Sequence, residues 1–504
     1  MTGVSSSWLT GKGRTALESR SKPQEMSVIL LIIGLFLVIL GLGMMVPAII
    51  DAVAHNDDWQ IFAICGAFVT FIGGLLFLSN RGDHGEISIR QGFLITVLTW
   101  VAIPLFGALP FVYSDLDLSY TNAFFEAMSG VTTTGSTVIS GLDGLPPGIL
   151  LWRSLLQWFG GVGIIVMGVA IMPMLKVGGM QLFKVEAFDV SENFIPRSAK
   201  LAASLSFLYI GLTLVCALAL WLAGMTPFEA ACHAFTTLST GGFSTSDASV
   251  GHFDSAMIDY VISFFMIMGS LPFILYLKVL KGHPLSLLSD TQVRGFLWTL
   301  GGVIAFLTLW LWGGGSFGLA DALRYTTFNV ISVITGTGYA STDYTVWGML
   351  SVVVFFFIMF IGGCAGSTSC GIKIFRFQIM FLALRSEIRR LFWPHAITVV
   401  KYNNRSVNNN AIGSVFAFVF LYLICVMLLT GALTFTGLDF TTALSGAGTA
   451  MSNVGPGVGR MIGPAGNFAD LTDTAKWLLS FAMLLGRLEL FAVLVLFSPK
   501  FWQT

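Results

Sequence analysis

The sequence predicts an all-α polytopic membrane protein, in which two leading helices precede four pseudo-symmetric units of long helix, short helix and long helix. Of its 504 residues, 55% are hydrophobic and only 10% are charged, and the mean hydropathy is +0.83. This composition is far more apolar than that of a soluble protein. Ten apolar runs, most of them close to the roughly 20 residues that a helix needs to cross a bilayer, account for the predicted spans. Four turns rich in Thr, Ser and Gly recur between them and define the units.

The ten apolar runs lie near 28–50, 59–79, 93–113, 149–175, 201–224, 257–280, 295–312, 349–380, 412–436 and 476–498. If the chain begins in the cytoplasm, the connections at 80–92, 176–200, 281–294 and 381–411 lie inside. The stretch 373–405 carries seven Lys and Arg residues against the single acid Glu387. Because cytoplasmic loops are enriched in basic residues, this asymmetry places both termini in the cytoplasm.

The spacing of the runs predicts the domain organisation. The predicted parts are a cytoplasmic tail at 1–27, a two-helix preface at 28–92, and four units at 93–200, 201–294, 295–411 and 412–504.

Each unit contains a turn that closes a short apolar stretch. These turns are named turn 1 to turn 4: Thr132-Thr-Thr-Gly135, Ser239-Thr-Gly-Gly242, Thr335-Gly-Thr-Gly338 and Ser452-Asn-Val-Gly455. Their closing glycines are 107, 96 and 117 residues apart, which is the interval of a domain-sized repeat rather than of low complexity.

A short half-apolar segment precedes each turn, at 121–132, 227–238, 321–333 and 440–451. These segments are too short to cross a bilayer and are predicted to be re-entrant helices. Thr226 and Glu229 have the spacing of a capping box at the start of the second. We expect Asp321 and Asp439 to begin the third and the fourth.

Four such turns around one central pore would suit a cation selectivity filter. Backbone carbonyls can replace the water of a dehydrated cation without adding a net charge that would hold it too tightly. Glycine accepts positive φ and lets four backbones approach one axis. The alternative is that these turns only end membrane helices; it weighs most for turn 4, whose Gly455-Pro-Gly457-Val-Gly459 is irregular.

Acidic residues gather on the predicted outer face. They are Asp51, Asp57, Asp58, Asp115, Asp117, Asp247, Asp254, Asp343, Asp470 and Asp473. A negative rim would concentrate cations before a pore. The alternative is that these residues are ordinary solvated acids in loops, with no role in steering cations.

The third unit has a break inside the membrane. The apolar run from Met349 to Ile361 is about 20 Å long as a helix, which is short of a hydrocarbon core of about 30 Å. The glycine-rich stretch 362–371 follows it. Irregular backbone at that depth is tolerated only inside protein or beside water, so we interpret this stretch as a gating loop below the turns, with a packed helix kink as the alternative. Its candidate gate residues are Gly362, Gly363, Gly366, Ser367, Thr368 and Gly371.

Arg487 and Glu489 lie within the last apolar run, where ionisable groups are costly. At positions i and i+2 they face different sides of a helix and cannot neutralise each other along it. We therefore expect Arg487 to face the pore as an electrostatic barrier and part of the gate, while Glu489 binds elsewhere. A structural ion pair with another helix is the alternative.

Other chemistries find little support in the sequence. The six cysteines show no metal-ligand spacing, the histidines are scattered, and no nucleophilic or paired-carboxylate motif occurs, so we expect neither an enzyme nor an organic cofactor. A polytopic membrane enzyme would require acids or histidines clustered at one membrane face. The nearer alternative is an ion-coupled secondary transporter, a proton- or sodium-coupled symporter, although fourfold repetition disfavours it. The neutral formal charge gives no indication of nucleic-acid binding.

The chain resembles the Trk/Ktr/HKT superfamily of potassium transporters, most closely its bacterial TrkH-like branch. Besides the four turns, the resemblance rests on Leu156-Gln-Trp-Phe-Gly-Gly161, Gly241-Gly-Phe-Ser-Thr-Ser-Asp-Ala248, Gly362-Gly-Cys-Ala-Gly-Ser-Thr368 and Gly486-Arg-Leu-Glu489. It implies four units around one pore, a homodimer in the bacterial inner membrane, potassium as the transported and filter-bound ion, and a cytosolic TrkA-like nucleotide-binding subunit docked near 381–411. The carbonyls implied to bind potassium belong to Thr133, Thr134, Thr240, Gly241, Gly336, Thr337, Asn453 and Val454.

The resemblance also bears on the choice of ion. In plant members of the superfamily, serine in place of the first closing glycine accompanies sodium selectivity, whereas here that residue is Gly135. All four closing positions (Gly135, Gly242, Gly338 and Gly455) are glycine, so we expect a preference for potassium and rubidium over sodium. Turn 3 departs from the TrkH-like pattern, because it continues into Tyr339 and so looks more like a potassium-channel filter. This implies a selectivity that differs in degree from that of the TrkH-like branch.

Overall fold

The computed structural model describes residues 22–82, 87–170, 194–395, 399–403 and 405–503, and these residues are predominantly helical. An all-α polytopic membrane protein is therefore confirmed. Most of the predicted tail at 1–27, namely 1–21, lies outside the described residues. So do 171–193, which include most of the predicted inner connection at 176–200.

The helices, numbered in chain order, are α1 Lys22–Val53, α2 Asp58–Ser79, α3 Ile89–Gly107, α4 Leu109–Tyr113, α5 Tyr120–Val131, α6 Pro147–Ala170, α7 Phe194–Leu222, α8 Pro227–Leu238, α9 Ala256–Ser270, α10 Phe273–Leu280, α11 Ser286–Ser289, α12 Thr291–Gly313, α13 Leu319–Thr335, α14 Met349–Ile358, α15 Ile374–Phe392, α16 Asn409–Phe435, α17 Phe440–Ser452, α18 Asp473–Arg487, α19 Phe491–Leu494 and α20 Pro499–Gln503. Four two-residue strands form two small pairs: β1 Ile361–Gly362 with β2 Ile372–Lys373, and β3 Lys401–Tyr402 with β4 Arg405–Ser406.

Seven of the described helices are long and apolar enough to cross a membrane, and two bent helix pairs would bring the number to nine. In the first bent pair, α9 and α10 meet at an angle of 95°. In the second, α18 meets the helical segment 491–497, which begins with α19, at an angle of 108°. The runs at 257–280 and 476–498 were each predicted as one span, and the structure shows a bend within each. Pro272 explains the first bend, because proline lacks an amide donor and its ring displaces the residue before it from helical geometry. The second bend contains Glu489 and Leu490, both with positive φ.

The four short helices lie where the sequence predicts them: α5, α8, α13 and α17. Thr226 and Glu229 form the expected capping box, and Asp439 caps α17 by accepting from the Thr442 amide at 3.1 Å. Asp321 was wrongly expected to begin the third. Gly318 is the N-cap of α13, and Asp321 lies in the first turn of that helix. Its negative charge there interacts favourably with the helix dipole.

The short helices are polar and yet buried, whereas the long helices expose apolar side chains. Thr236, Ser332 and Thr449 are 0% exposed, while Phe207 on α7 is 76% exposed and Phe435 on α16 is 95% exposed. This arrangement is the one that a bilayer favours, because the outer surface faces lipid and the polar groups find partners inside.

Two of the acids expected on the outer rim are buried instead. Asp51 is 0% exposed and accepts a hydrogen bond from the Gly148 amide at 2.6 Å, close to the start of α6. Asp58 is 4% exposed. Both sit between the preface helices and the rest of the protein, so they cannot belong to a solvated rim.

The predicted break in the third unit is confirmed. α14 ends at Ile358, and α15 begins at Ile374. Between them, Ile361 pairs with Ile372 and Gly362 with Lys373 in a parallel two-residue ladder. The ladder brings the two ends of the loop 362–371 together, so that the loop is an excursion from an interrupted span.

Candidate ion pathway

The four turns form a closed ring. Each closing glycine lies against a carbonyl of the following turn, so closely that an added Cβ would collide with it or approach within 3.0 Å. The pairs are Gly135 with Gly241 O, Gly242 with Thr337 O, Gly338 with Val454 O, and Gly455 with Thr134 O. Turn 1 thus meets turn 2, turn 2 meets turn 3, turn 3 meets turn 4, and turn 4 meets turn 1. A cycle of this kind encloses one axis.

The backbone repeats the same geometry in every turn. The closing glycines have φ between 81° and 96°, in the left-handed region. The residue two positions earlier is also left-handed: Thr133, Thr240 and Asn453 at 52°, and Gly336 at 79°. A left-handed conformation costs a residue with a Cβ roughly 1–2 kcal/mol, so its presence at three non-glycine positions shows that the surroundings impose it.

The amide of the residue before each closing glycine bonds to the carbonyl five residues earlier, in its own short helix. The pairs are Thr134 N to Ser129 O at 2.8 Å, Gly241 N to Thr236 O at 2.8 Å, Thr337 N to Ser332 O at 2.9 Å, and Val454 N to Thr449 O at 3.2 Å. Each turn is thereby a helix C-terminal cap that uses its amides locally. The carbonyls of the turns are left for other partners.

Seven of the eight carbonyls implied to bind potassium accept no hydrogen bond within the described part of the chain. They belong to Thr133, Thr134, Thr240, Gly336, Thr337, Asn453 and Val454. The eighth, of Gly241, accepts from Gln157 Nε2 at 2.7 Å. Gln157 Oε1 in turn accepts from the Phe243 amide at 3.1 Å. A carbonyl has two lone pairs, so the Gly241 oxygen keeps one for a further ligand.

Side-chain hydrogen bonds brace turns 1 and 3 internally and link turn 4 to turn 1. Thr132 and Thr134 share a hydroxyl hydrogen bond of 2.7 Å, as Thr335 and Thr337 do at 2.8 Å. Asn453 Nδ2 donates to Thr134 Oγ1 at 2.9 Å and so links turn 4 to turn 1. The hydroxyls satisfy each other and leave the main chain exposed to the axis.

The ring is the floor of an open cavity of about 450 Å³. All four closing glycines line it, together with Asp247 and Asp470 from the predicted outer acids. The Asp247 carboxylate accepts from the Gly141 amide at 2.8 Å, which fixes it beside the mouth. A hydrogen bond from the Ser246 side chain holds the pKa of the neighbouring Asp143 below its usual value, so this carboxyl keeps its charge in mildly acidic surroundings.

The loop 362–371 lies on the axis at the other end of the ring. Cys370 Sγ is 3.9 Å from Thr133 Oγ1 of turn 1. A Cβ added to Gly336 of turn 3 would lie 3.5 Å from Cys370 N. Turns 1 and 3 are opposite members of the ring, so a residue that approaches both occupies the axis between them.

Hydrogen bonds to other elements, here called borrowed bonds, hold this loop in place. The Thr368 hydroxyl donates to Gly269 O at 2.8 Å and to Leu238 O at 3.0 Å, and the Thr368 amide donates to Gly269 O at 3.1 Å. The Cys364 amide donates to Ser270 O at 3.0 Å, and the Phe273 amide donates to Gly366 O at 2.9 Å. The bend between α9 and α10 frees these backbone groups. Sequence analysis missed the bend, although Leu271-Pro272 was the signal for it.

Arg487 contacts the loop. Its Nη1 donates to Thr368 O at 3.0 Å and lies 2.5 Å from Cys370 Sγ, and its Nη2 donates to Gly160 O at 3.1 Å. Arg487, Cys370 and Ser367 line a small cavity of about 30 Å³ beneath the loop. The guanidinium is therefore placed below the ring and against the loop.

Glu489 binds away from Arg487, as expected, and forms an ion pair with another helix. Its carboxylate accepts from Arg376 Nη2 of α15 at 2.5 Å, and Arg376 is 0% exposed. Because α18 ends at Arg487, the argument from two faces of one helix does not apply. Sequence analysis counted Arg376 only among the inner basic residues, and no sequence signal paired it with a residue 113 positions away.

Comparisons with known proteins find relatives over nearly the whole chain. Residues 58–504 match the TrkH family, described as "Cation transport protein". The Trk system potassium uptake protein TrkI of Halomonas elongata is 45% identical over 476 residues, covering 94% of this chain and 96% of that protein. TrkH of Escherichia coli K12 is 38% identical over 477 residues, covering 94% and 98%. The crystal structure of the potassium transporter TrkH from Vibrio parahaemolyticus superposes with a TM-score of 0.88 at 36% identity, covering 96% of this chain and all of that one.

Proposed function

The chain belongs to the TrkH family of cation transport proteins, and from this we propose that it takes up potassium across the cell membrane through the ring of four turns. The family membership confirms the resemblance found in the sequence. The single observation that carries the proposal is the closed ring, in which each closing glycine abuts a carbonyl of the next turn.

The ring supplies what a dehydrated potassium ion requires. The carbonyls of Thr133, Thr134, Thr240, Gly241, Gly336, Thr337, Asn453 and Val454 would replace its water ligands, and seven of them accept no hydrogen bond within the described residues. Neutral carbonyls bind a monovalent cation firmly enough to admit it and weakly enough to release it. The C-terminal ends of the four short helices meet at this ring, and their dipoles add a favourable potential for a cation.

Selectivity for potassium over sodium follows from the four glycines in this account. A Cβ at Gly135 would run into the Gly241 carbonyl, and the φ of +85° penalises every other residue. A serine at 135 would therefore shift a ligand of the ring. This agrees with the replacement that accompanies sodium selectivity in the plant relatives.

The loop 362–371 and Arg487 would form the gate. Cys370 occupies the axis between turns 1 and 3, and Arg487 adds a positive charge where a cation has to pass. Conduction then requires the loop to leave the axis. The glycines at 362, 363, 366 and 371 make such a movement feasible, because Gly366 and Gly371 already adopt positive φ.

A cytosolic TrkA-like nucleotide-binding subunit would control this movement. Arg385, Arg389 and Arg390 are exposed on α15, which follows the loop directly, so a partner that binds these side chains acts on the gate through one helix. The same account places both termini in the cytoplasm and the chain in the bacterial inner membrane as a homodimer.

The test is uptake of rubidium into liposomes that contain the purified chain. Rubidium should enter down its gradient and be displaced by potassium much more effectively than by sodium, and Gly135→Ser should narrow that preference. An imposed proton or sodium gradient should leave the direction of flux unchanged. Comparable permeation of sodium and potassium in the unmodified protein would refute the assignment, and uphill uptake driven by either gradient would establish the coupled transporter instead.

A further inference from the structure

Three of the four short helices carry a buried polar side chain at the same place relative to their turn. Nine residues before the closing glycine stand Glu126 on α5, His233 on α8 and Asn329 on α13. All three are 0% exposed. In α17 the equivalent residue is Gly446. The position is buried and polar in three turns and has no side chain in the fourth.

These three side chains hold the chain that leaves each turn on its outer side. Each bonds to a residue two or three positions after the closing glycine. The contacts are Thr137 Oγ1 and Val138 N to the Glu126 carboxylate, both at 2.9 Å; His233 Nε2 with Ser244 Oγ at 3.1 Å; and Asn329 Nδ2 to Ser341 Oγ at 2.9 Å, with Ser341 N to Asn329 Oδ1 at 3.3 Å. Equivalent positions in the short helices thus hold equivalent outer segments.

The contact of turn 1 is charged and reaches a second turn. Arg153 Nε on α6 donates to Glu126 Oε1 at 2.8 Å, and the two side chains are 1% and 0% exposed. Arg153 Nη1 also donates to Ser244 O at 2.9 Å, and its guanidinium lies 4.2 Å from the centre of the Phe243 ring. The pair therefore fixes the outer segments of turns 1 and 2 with respect to each other.

Turn 4 is held differently. With glycine at 446, its outer segment is bound by the Ser445 hydroxyl, which donates to Val458 O at 3.0 Å, and by the Thr449 hydroxyl, which donates to Gly455 O at 3.1 Å. The Gly457 amide bonds to Ile462 O, within the segment itself. Neutral hydroxyl bonds replace the longer side-chain bridges of the other turns.

We propose that Glu126, His233 and Asn329 are selectivity-positioning residues, which keep the carbonyls of turns 1 to 3 at the spacing that suits potassium. The inference rests on the proposed function, since it gives the carbonyl ring a scaffold. A ring that contracts accommodates the smaller sodium ion, so discrimination requires that the turns resist contraction. The bridges provide this resistance behind three turns, whereas the outer segment of turn 4, beside Gly446, is held by the hydroxyls of Ser445 and Thr449.

Two variants test the proposal, Glu126→Gln and Asn329→Ala, with Thr96→Val as a matched control. Thr96 is also a buried polar residue, but its hydroxyl bonds only to the Gly92 carbonyl of its own helix α3. The full chain is produced in bacteria that lack their own potassium uptake, and the KM for rubidium uptake and the inhibition constant for sodium are measured. Their ratio reports selectivity and does not depend on how much protein reaches the membrane.

We expect Glu126→Gln to reduce the preference for rubidium over sodium about fivefold or more, since it weakens charge-assisted hydrogen bonds. Asn329→Ala should reduce it about threefold, as a neutral bridge is lost. Thr96→Val should leave the ratio unchanged. Asn329→Ala alters no charge and keeps the test available if Glu126→Gln does not accumulate in the membrane.

A ratio that stays at the wild-type value in these variants, whatever happens to the maximal rate, overturns the inference, because a merely structural role lowers rate and abundance alone. Gly135→Ser, measured alongside, separates the two levels of the account. If Gly135→Ser changes the ratio and the two variants do not, only the positioning role fails. If Gly135→Ser also leaves the ratio unchanged, the proposed filter itself fails.

Discussion

The ring of turns and the loop 362–371 are both irregular backbone at membrane depth, but their hydrogen bonds differ in origin. The amides of the ring bond to carbonyls three to six residues earlier in their own short helices, as Thr134 N does to Ser129 O. Several amides of the loop bond to other elements, as Cys364 N does to Ser270 O, Ala365 N to Gln292 Oε1 and Thr368 N to Gly269 O. Local bonds break only if the short helix unravels, whereas borrowed bonds are released when the loop moves as a unit. This difference agrees with the proposal that the ring keeps its geometry while the loop moves.

The largest effect should come from adding one methyl group to the ring. Gly338→Ala places a Cβ against the Val454 carbonyl at a φ of +82°, and we expect roughly a hundredfold loss of rubidium uptake, because left-handed strain of ~1–2 kcal/mol adds to the displaced ligand. Gly301→Ala on α12 is the control, since nothing lies within 4 Å of its added Cβ, and it should keep uptake within about twofold. Wild-type uptake by Gly338→Ala would show that the ring does not constrain the ion path.

Arg487→Ala should raise the flux, whereas Gly338→Ala lowers it, because the substitution loosens the loop. It removes donors to Thr368 O and Gly160 O and deletes a positive charge beneath the ring. Hydrogen bonds to charged groups are worth about 1.5–3 kcal/mol, so we expect basal flux to rise about tenfold in liposomes that contain the chain alone. A fall in flux, with the protein correctly inserted, would mean that Arg487 supports the open path instead of closing it.

Thr368→Val should produce a smaller change in the same direction. The substitution keeps the size of the side chain and loses the hydroxyl bonds to Gly269 O and Leu238 O. A net contribution of about 0.5–1.5 kcal/mol for each bond predicts a rise in basal flux of about fivefold. Thr434→Val is the matched control, because its hydroxyl bonds only to Thr430 O within α16. Equal behaviour of the two variants would contradict the view that borrowed bonds close the loop.

The smallest effect should come from the outer mouth. Asp470 is exposed and lines the cavity above the ring. Asp470→Asn should raise the KM for rubidium by less than about twofold at low salt, and the difference should vanish near 0.15 M ionic strength, where screening acts over about 8 Å. A large change that persists in high salt would indicate that the carboxylate binds the ion directly and that selection begins outside the ring.

The sequence was sufficient for the features that depend on local chemistry. Half-length segments ending in Thr, Ser and Gly predicted α5, α8, α13 and α17, because caps and glycine turns are written in neighbouring residues. The glycine-rich interruption after α14 was readable for the same reason.

What the sequence could not supply depends on distant pairings. The cyclic order of the turns, the Arg376–Glu489 ion pair and the bond from Gln157 to the Gly241 carbonyl join residues 84 or more positions apart. The prediction that Asp51 and Asp58 belong to the outer rim was wrong for the same reason, since only the packing of the two-helix preface shows that these acids are buried. The bend at Pro272 was a local signal that a count of apolar residues conceals.

The central claim is that the ring binds a dehydrated monovalent cation. Crystals of the full-length protein grown in rubidium or thallium salts would test it most directly through the anomalous scattering of these ions. The account predicts a peak on the axis enclosed by Thr134, Gly241, Thr337 and Val454, within coordination distance of their carbonyl oxygens, and its loss when sodium replaces the heavier ion. Anomalous density confined to sites outside the four turns, with the ring empty, would contradict it.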